Sequence, residues 1–333
     1  MRLHSRAGRA LRTKLAGSLI QSEVICTFAG VSHPRCPACE GLAVPCRSAV
    51  MGYALHTCRA CKVEFLYPQP DESALAAIYS DQYFLGEQNE ESAERRSRMK
   101  TATGALYVDA LVKLIGPGSA KLLEVGCGHG EVLMEARKRG FAVSGIEISP
   151  HAAAVANGRL GLQAVQVGSI EEVSLPPGHF DAILAADVIE HVRDPKGFLM
   201  RARALLSPGG VVVLVTPSLD SWTRRYLRRR WMEYKIEHLY YFSAKSMRCL
   251  LERCGFGEIR VLPSRKVLTF DYLARHFDRF TVPLLSPLLG ILRRLAPDRL
   301  AYHHLRLPAS GLIAVGRKPA RGGCADPNDL SGL

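Results

Sequence analysis

The sequence contains no apolar run that approaches the roughly 20 residues needed by a membrane-spanning helix. Its first residues, MRLHSRAGRALRTKLAGSLIQ, carry no acid before Glu23, but their apolar part is short and interrupted, which argues against a secretory signal. No internal repeat or long low-complexity tract is present either. Residues 1–34 are therefore interpreted as a disordered leader.

Acidic residues are in short supply. The chain has 44 lysines and arginines against 31 aspartates and glutamates, which gives a formal net charge of +13. Such an excess indicates an acidic partner: nucleic acid, a phosphorylated substrate or an anionic membrane surface. The length of 333 residues allows one large domain and a small one. Composition alone does not choose among these partners.

Cysteine is unevenly distributed. Four of the ten cysteines form two pairs, Cys36-Pro-Ala-Cys39 and Cys58-Arg-Ala-Cys61, with 18 residues between the pairs. This is zinc-ribbon spacing, in which each pair gives two thiolates to one tetrahedral ion, although four small core residues would give the same pattern. Four thiolates leave no open position, so the predicted zinc is structural. Free thiols also favour a reducing, cytoplasmic location.

Beyond the cysteines, the chain divides into a helical stretch and an alternation of strands and helices. Apolar spacing predicts helices between residues 67 and 118. Strand-like KLLEVG, FAVSGIEI, LQAVQVG, FDAILAAD and GGVVVLVTP then alternate with helices, and LPASGLIAVGRK supplies a last strand. This alternation predicts an α/β fold with a doubly wound parallel sheet.

The stretch LLEVGCGHGEVL joins the first strand to a helix through three glycines. It does not match the dinucleotide pattern G-x-G-x-x-G, because position 131 is Glu131. The observed pattern, Glu124-x-Gly126-x-Gly128-x-Gly130, resembles the first motif of class I S-adenosylmethionine-dependent methyltransferases. That donor has no pyrophosphate, so the turn must let the backbone approach an amino-acid moiety and a sulfonium, which glycine allows.

The resemblance, close over residues 119–256, implies a Rossmann-like seven-stranded sheet and a set of donor contacts. Glu147, 21 residues after Gly126, is expected to bind the ribose hydroxyls. Residues after the third strand are expected to flank adenine, and the end of the fourth to lie near the methionine moiety. The implied cofactor-binding residues are Glu124, Gly126, Gly128, Gly130, Glu147, Ile148, Ser169, Ile170 and Asp187.

The catalytic candidates are Glu190, His191 and His238. ADVIEHVRDP resembles the ubiquinone-pathway O-methyltransferases, in which an acidic-x-x-Glu-His set is associated with a divalent metal; here the first acid is Asp187. Three interpretations stay open: His191 as general base, the trio Asp187, Glu190 and His191 as ligands of an ion such as Mg²⁺, or His191 as a packing residue. KIEHLYYFS, with His238, is expected beside the acceptor pocket.

The acceptor is predicted from the segments around this core. The cysteine pairs and the residues after them resemble the N-terminal segment of zinc-ribbon methyltransferases among bacterial sugar and surface-glycan modifying enzymes. In the sugar C-methyltransferases the small domain helps cover the substrate, and the resemblance implies that role here. WTRRYLRRRW is interpreted either as a solvated helix face or as a phosphate-binding segment, to which its arginines are suited. These features predict O-methylation of an anionic or sugar-containing small molecule: a sugar, nucleotide-sugar or lipid-linked glycan precursor. The alternatives are an RNA-modifying methyltransferase, for which no RNA-binding module is recognisable, and a non-catalytic adenosylmethionine-binding module.

The segment TVPLLSPLLGILRRL, residues 281–295, is too short to span a bilayer as a helix. It is interpreted either as a cover for the sheet edge or as a peripheral contact with an anionic membrane. The predicted organisation is a leader (1–34), a zinc ribbon (35–66), a helical connector (67–118), a methyltransferase domain (119–318) with insertions at 218–242 and 271–304, and a tail (319–333).

Overall fold

The computed structural model describes residues 34–78, 90–116, 118–279 and 285–320. The predicted leader lies outside the described residues except for Pro34, as does the tail beyond residue 320. The strands are β1 (Ala43–Val50), β2 (Tyr53–Cys58), β3 (Glu64–Leu66), β4 (Lys121–Val125), β5 (Ala142–Glu147), β6 (Val165–Val167), β7 (Phe180–Ala186), β8 (Leu206–Pro217), β9 (Tyr240–Tyr241), β10 (Gly257–Leu268) and β11 (Leu305–Arg317).

The helices pack around two sheets. In the methyltransferase region they alternate with strands, as the sequence predicts. They are α1 (Glu72–Ile78), α2 (Glu90–Ile115), α3 (Glu131–Lys138), α4 (Pro150–Leu160), α5 (Pro195–Leu205), α6 (Trp222–Leu227), α7 (Ala244–Arg253), α8 (Phe270–Arg279), α9 (Leu285–Leu295) and α10 (Asp298–Ala301), with a short 3-10 turn at Arg228–Arg230 after α6.

The large sheet has seven strands in the order β10-β11-β8-β7-β4-β5-β6. The strands β6, β5, β4, β7 and β8 run parallel, whereas β11 is antiparallel to both of its neighbours, β8 and β10. Residues 211–215 of β8 are completely buried, as expected for a central strand covered on both faces. The predicted doubly wound seven-stranded fold is confirmed, and its sheet is mixed.

Local sequence explains where the helices that flank the site begin. The Ser149 side chain accepts a hydrogen bond from the Ala152 N–H, with Pro150 in the first turn of α4. Asp194 does the same for α5, accepting from the amides of Lys196 and Gly197. The helix α4 begins three residues after β5 ends, and α5 begins nine residues after β7 ends, so the segments that precede both helices lie at the carboxyl edge of the sheet, where ligands bind in open α/β sheets.

The small sheet joins the N-terminal cysteine segment to a distant part of the chain. Its order is β1-β2-β3-β9, all antiparallel, and β9 comes from the insertion at 218–242. Glu64 pairs with Tyr241, and Phe65 with Tyr240. Phe65 also belongs to the same buried apolar cluster as Phe198 of α5 and Leu250 of α7. The cysteine segment is therefore packed onto the large domain rather than tethered beside it.

The insertion between β10 and β11 forms a helical layer of α8, α9 and α10. Here α9 packs chiefly on α8. Within the ranges that the structure describes, no helix is long and apolar enough to cross a bilayer.

Candidate active site

The turn between β4 and α3 requires its glycines for two different reasons. Gly126, Gly128 and Gly130 all have positive φ, at 71°, 54° and 80°. A side chain on Gly126 would come within 2.5 Å of Val188, and one on Gly130 within 3.1 Å of Ala156. A side chain on Gly128 would meet nothing within 4 Å. The backbone at Gly128 therefore faces open space, as a turn that receives a ligand must.

Glu147 lies at the end of β5 and holds this turn. The Gly128 N–H donates to its Oε2 at 2.8 Å, and the Ser149 N–H donates to its Oε1 at 2.9 Å. Each carboxylate oxygen can accept a further bond, so ribose hydroxyls fit the same group. The next residue, Ile148, is apolar yet exposes most of its side chain. Glu147 and Ile148 together offer a charged hydrogen-bond acceptor beside an apolar surface.

Glu124 lies behind the turn on β4 and is fully buried. Among the described residues its Oε2 has no hydrogen-bond partner. Burial raises the pKa of Glu124 well above its usual value, and the carboxylates of Glu131 and Glu147 raise it further. The protonated form of this carboxyl, which burial favours, can donate a hydrogen bond as well as accept one.

The segment after β6 contains the two residues expected near adenine. The Ser169 N–H donates to Glu172 at 3.0 Å, which fixes the start of this turn. Ile170 is buried and belongs to the core cluster, so its side chain is turned away from solvent. Only the backbone of Ile170 can therefore contact a bound adenine ring.

Asp187 directly follows β7 and adopts a left-handed backbone with φ of 55°. Its Oδ2 accepts a hydrogen bond from Lys266 Nζ at 2.7 Å. Burial lowers the pKa of Lys266, but the Asp187 carboxylate outweighs that effect and keeps it above its usual value. Sequence reasoning missed Lys266, which comes from β10 and carries no local motif.

Glu190 is completely buried at the turn after β7. Thr216 Oγ1 donates to its Oε2 at 2.9 Å, and in the described part of the chain its Oε1 has no partner. Burial and the Asp187 charge raise the pKa of Glu190 to about 8. Tyr107 of α2, another residue that sequence reasoning missed, is an electrostatic neighbour whose buried hydroxyl also lacks a partner among the described residues.

The imidazoles of His191 and His238 meet edge to face, with ring centroids 4.7 Å apart. His191 Nδ1 lies 2.9 Å from the Glu237 carbonyl oxygen, and His238 Nδ1 lies 2.8 Å from that of Glu233. A carbonyl oxygen only accepts, so each Nδ1 is assigned the proton and each Nε2 a lone pair. Burial lowers the pKa of His191 to about 4 and that of His238 well below its usual value.

The three catalytic candidates therefore converge from two segments. One side-chain ligand atom of each of Glu190, His191 and His238 lies within 4.8 Å of the others. The backbone holds the segments together, because the amides of Leu239 and Tyr240 both donate to the Glu190 carbonyl, at 2.8 and 3.2 Å. His238, and not Asp187, completes this group. The predicted trio with Asp187 is not the one that the fold assembles.

The four paired cysteines form a compact, buried cluster. Their sulfurs all lie within 4.8 Å of one another, with Cys36 and Cys61 at 3.5 Å and Cys39 and Cys58 at 3.4 Å. A zinc–sulfur bond of about 2.3 Å in a tetrahedron puts its sulfurs roughly 3.8 Å apart. The donor set fits one tetrahedral ion.

The two cysteine turns have the same backbone form. In each, the N–H of the fifth residue donates to the carbonyl of the first cysteine: Glu40 to Cys36 at 2.7 Å, and Lys62 to Cys58 at 3.2 Å. Glu40 and Lys62 both have left-handed φ, at 61° and 68°. Burial raises the pKa of Cys39 to about 11, and a neighbouring thiol together with burial raises that of Cys61, whereas at Cys58 the N–H groups of the turn and nearby thiols outweigh burial and lower the pKa to about 7. Cys58 is therefore the thiol that loses its proton most readily. A thiol held in this way is prepared to bind a cation as thiolate.

Comparison with known proteins agrees with this architecture. A family model described as a methyltransferase domain matches residues 94–260. Ubiquinone biosynthesis O-methyltransferases of Xanthomonas campestris and Xanthomonas oryzae are 39% and 35% identical over 116 and 117 residues, which is 33% of this chain and 47% of each relative. The match thus spans about half the length of these curated relatives.

Solved structures with a similar fold have low sequence identity. The phosphoethanolamine N-methyltransferase 2 of Haemonchus contortus in complex with S-adenosyl-L-methionine is 20% identical, with a TM-score of 0.42, over 64% of this chain and 52% of that one. The YcgJ protein of Bacillus subtilis is 15% identical, with a TM-score of 0.45, over 64% and 97%. On the family match, the strand order and the glycine turn, the chain belongs to the family of class I S-adenosylmethionine-dependent methyltransferase domains.

Proposed function

We propose that this protein transfers the methyl group of S-adenosylmethionine to a hydroxyl of a small-molecule acceptor, with His191 as the general base. The observation that carries the proposal is the edge-to-face pair of imidazoles, one half-buried and one buried, that lies just beyond the carboxyl end of β7. When bound, the donor supplies an electrophilic sulfonium methyl. The protein has to align the acceptor oxygen and take up its proton.

The residues around the glycine turn fit the donor. Gly126, Gly128 and Gly130 let the backbone approach it closely, and Gly128 borders open space. Glu147 accepts the ribose hydroxyls while keeping its bonds to the turn. Ile148 offers an exposed apolar surface to the adenine. The remaining proposed contacts are Glu124, Ser169, Ile170 and Asp187.

The base is proposed to be His191 rather than His238 because of where each is attached. His191 follows β7 of the rigid sheet, and its Nδ1–H is oriented by the Glu237 carbonyl. This leaves Nε2 as the proton acceptor. His238 belongs to the inserted segment and packs edge to face against His191, so its role is to shape the acceptor pocket.

A second arrangement of the same residues is a divalent cation held by Glu190, His191 and His238. Two observations support it: the ligand atoms of these residues are grouped, and Glu190 Oε1 has no hydrogen-bond partner among the described residues. Two imidazoles and one carboxylate suit Zn²⁺, Mn²⁺ or Fe²⁺ better than Mg²⁺, which prefers oxygen ligands. Mg²⁺, the ion that the resemblance implied, is therefore a less favourable occupant of this group than the other three ions.

The acceptor is proposed to be a sugar, a nucleotide-sugar or a lipid-linked glycan precursor, methylated on oxygen in the cytoplasm. Arg225, Arg228, Arg229 and Arg230 are exposed within the 218–242 insertion and suit phosphate groups. Arg224 is less available, since it pairs with Glu64 at 3.5 Å. The ubiquinone O-methyltransferase names of the relatives support oxygen as the acceptor atom and make a hydroxylated ring the second candidate acceptor.

The cysteine cluster is proposed to hold structural zinc and to support the acceptor side of the site. The strand β3 pairs with β9, which follows His238 directly, and the Leu66 N–H donates to the Leu239 carbonyl at 3.0 Å. The ribbon thus fixes the segment whose amides bind Glu190. The proposed unit of function is the predicted ribbon (35–66) together with the 218–242 insertion of the methyltransferase domain.

The decisive experiment supplies labelled adenosylmethionine and a cell extract to the full-length protein. Label in a nucleotide-sugar or lipid-linked fraction, absent with a Gly128→Val control, supports the proposal. Ribonuclease-sensitive label would favour RNA modification. Tight donor binding without any label would favour a non-catalytic binding module.

A further inference from the structure

The helix α9 turns its apolar side chains toward solvent. Leu288, Ile291, Leu292 and Leu295 expose 53%, 56%, 46% and 76% of their surface. Their spacing of three, one and three residues puts them on a single face of the helix. A helix that packs on a protein core normally has this face turned inward.

The inward face of α9 is polar and bonded to the protein. Ser286 Oγ donates to the Phe277 carbonyl at 2.6 Å. One turn from the other end, Arg293 donates to Asp271 at 2.6 Å and to the Tyr302 hydroxyl at 2.9 Å. These contacts anchor both ends of α9 and fix which side faces out. These contacts therefore hold the apolar side chains of α9 on its solvent-facing side, where they form an exposed stripe.

Cations border the stripe. Arg294 on α9 and Arg299 on α10 are both exposed, and Leu300, beside Arg299, is 64% exposed. The acid in this segment, Asp298, lies 3.8 Å from Arg293, which is already bonded to Asp271. The surface formed by α9 and α10 thus combines exposed leucines with an excess of positive charge.

We propose that this α9–α10 surface docks on an anionic lipid bilayer, with α9 lying in the plane of the interface. An amphipathic helix binds there by burying its apolar face between the headgroups and acyl chains, while arginines at its edge reach the phosphates. The eleven residues of α9 are too few to cross the bilayer. The contact is therefore peripheral.

Charge favours a bilayer over a second copy of this chain. In a two-fold contact the same face meets itself, so both copies would bring Arg294 and Arg299 into one patch. Anionic headgroups supply the opposite charge instead, and the net charge of +13 attracts the protein toward them.

The docking surface is linked to the candidate active site through α8. This helix begins two residues after β10, the strand that carries Lys266 to Asp187, and its Asp271 holds Arg293 of α9. Docking would then bring the enzyme to lipid-linked acceptors, a consequence that rests on the proposed function. The docking itself does not rest on it, and its test requires no methyl transfer.

The test is co-sedimentation of the full-length protein with vesicles of phosphatidylcholine, with and without phosphatidylglycerol. We expect binding to the anionic vesicles that weakens as salt is raised. Leu292→Gln/Leu295→Gln should reduce it at least about tenfold, because two exposed leucines lose their insertion energy. Arg294→Glu/Arg299→Glu should reduce it by a similar factor on anionic vesicles. Met200→Gln, which alters a 47% exposed residue of α5, is the matched control and should bind like the wild type.

Two outcomes would overturn the proposal. One is wild-type binding to anionic vesicles no stronger than that of the leucine variant, with both proteins still binding the methyl donor normally. The other is a wild-type dimer in lipid-free sedimentation equilibrium that becomes monomeric in the leucine variant, which would assign the stripe to self-association. A Leu292→Trp variant gives an independent reading, since its fluorescence should shift to the blue on anionic vesicles.

Discussion

At the scale of single residues, Glu147 illustrates how one carboxylate serves both the fold and the ligand. It accepts hydrogen bonds from the amides of Gly128 and Ser149, and it is proposed to accept from the ribose as well. Replacing it removes a charged acceptor from the site and loosens the turn that the donor occupies.

We predict that Glu147→Ala weakens donor binding by about 1.5–3 kcal/mol, the usual cost of losing hydrogen bonds to a charged group. Isothermal titration with adenosylmethionine measures this effect. Glu252→Ala, an exposed glutamate on α7, is the control and should bind normally. Binding of NADH in place of adenosylmethionine would contradict the donor assignment.

The two histidines are distinguished by kinetics. We predict that His191→Ala lowers kcat by roughly 10²–10⁴ while the donor affinity stays nearly unchanged, because a hydroxyl is a poor nucleophile until its proton is removed. His238→Ala should chiefly raise the acceptor KM. Steady-state rates with the identified acceptor, together with donor titration, separate the two. An active His191→Ala enzyme would leave His191 as a packing residue.

The raised pKa of Glu190 has a consequence for stability. In the folded protein the pKa of this carboxyl is about 8, whereas in the unfolded chain the pKa has its ordinary value of about 4.5. Between these values the folded state binds more protons, so raising the pH lowers the free energy of unfolding.

We therefore predict that Glu190→Gln is more stable than the wild type above pH 8, by an amount of the order of a few kcal/mol, and that the difference shrinks toward pH 5. The glutamine carbonyl can still accept the Thr216 hydroxyl. Urea titrations at several pH values test this. A variant that is less stable at every pH would indicate that the carboxylate is held by a bound cation.

At the scale of secondary-structure elements, the pairing of β3 with β9 joins the cysteine cluster to the segment that carries His238. The cysteine spacing predicted a zinc ribbon, and the resemblance implied that this small domain helps cover the substrate. Because β9 is a strand of the small sheet, damage to the cluster is transmitted to residues 237–241.

We predict about one zinc per chain, lost in Cys58→Ser, with donor binding retained and the acceptor KM raised. Cys46→Ser is the matched control, since Cys46 lies in the small sheet but bonds to Thr57 and stands outside the cluster. Metal analysis and limited proteolysis measure the loss. A metal-free wild type with an equally resistant N-terminal segment would refute the zinc assignment.

At the scale of the whole molecule, the two sheets share one apolar cluster, which contains Cys36 and Phe65 together with Phe198 and Leu250. Structures that share a core unfold together. The described part of the chain is therefore expected to behave as one cooperative unit.

We predict a single calorimetric unfolding transition whose midpoint falls when zinc is removed by chelator or by Cys58→Ser, because metal-binding energy adds to the stability of the whole. The Cys46→Ser protein should keep the wild-type midpoint to within a few degrees. An early, separate transition that disappears with zinc would show instead that the ribbon unfolds alone.

The sequence by itself determined the features whose information is local. The alternation of strands and helices predicted the fold class, and the spacing of the two cysteine pairs predicted the thiolate cluster. The three alternate glycines and the acid at the end of the second strand carried the resemblance that implied the donor. The sequence also predicts the start of α4, because the capping Ser149 and the first-turn Pro150 are local signals.

Only the tertiary structure decided which distant groups meet. His191 and His238 lie 47 positions apart, and Lys266 reaches Asp187 from a strand at the far edge of the sheet. The sequence proposed Asp187 as the third member of the trio, but the fold puts His238 there. It likewise could not show that α9 faces its leucines outward, because periodicity reveals that a helix has two faces and not which of them the protein covers. That choice is made by contacts such as Arg293 with Asp271, which form only when the chain has folded.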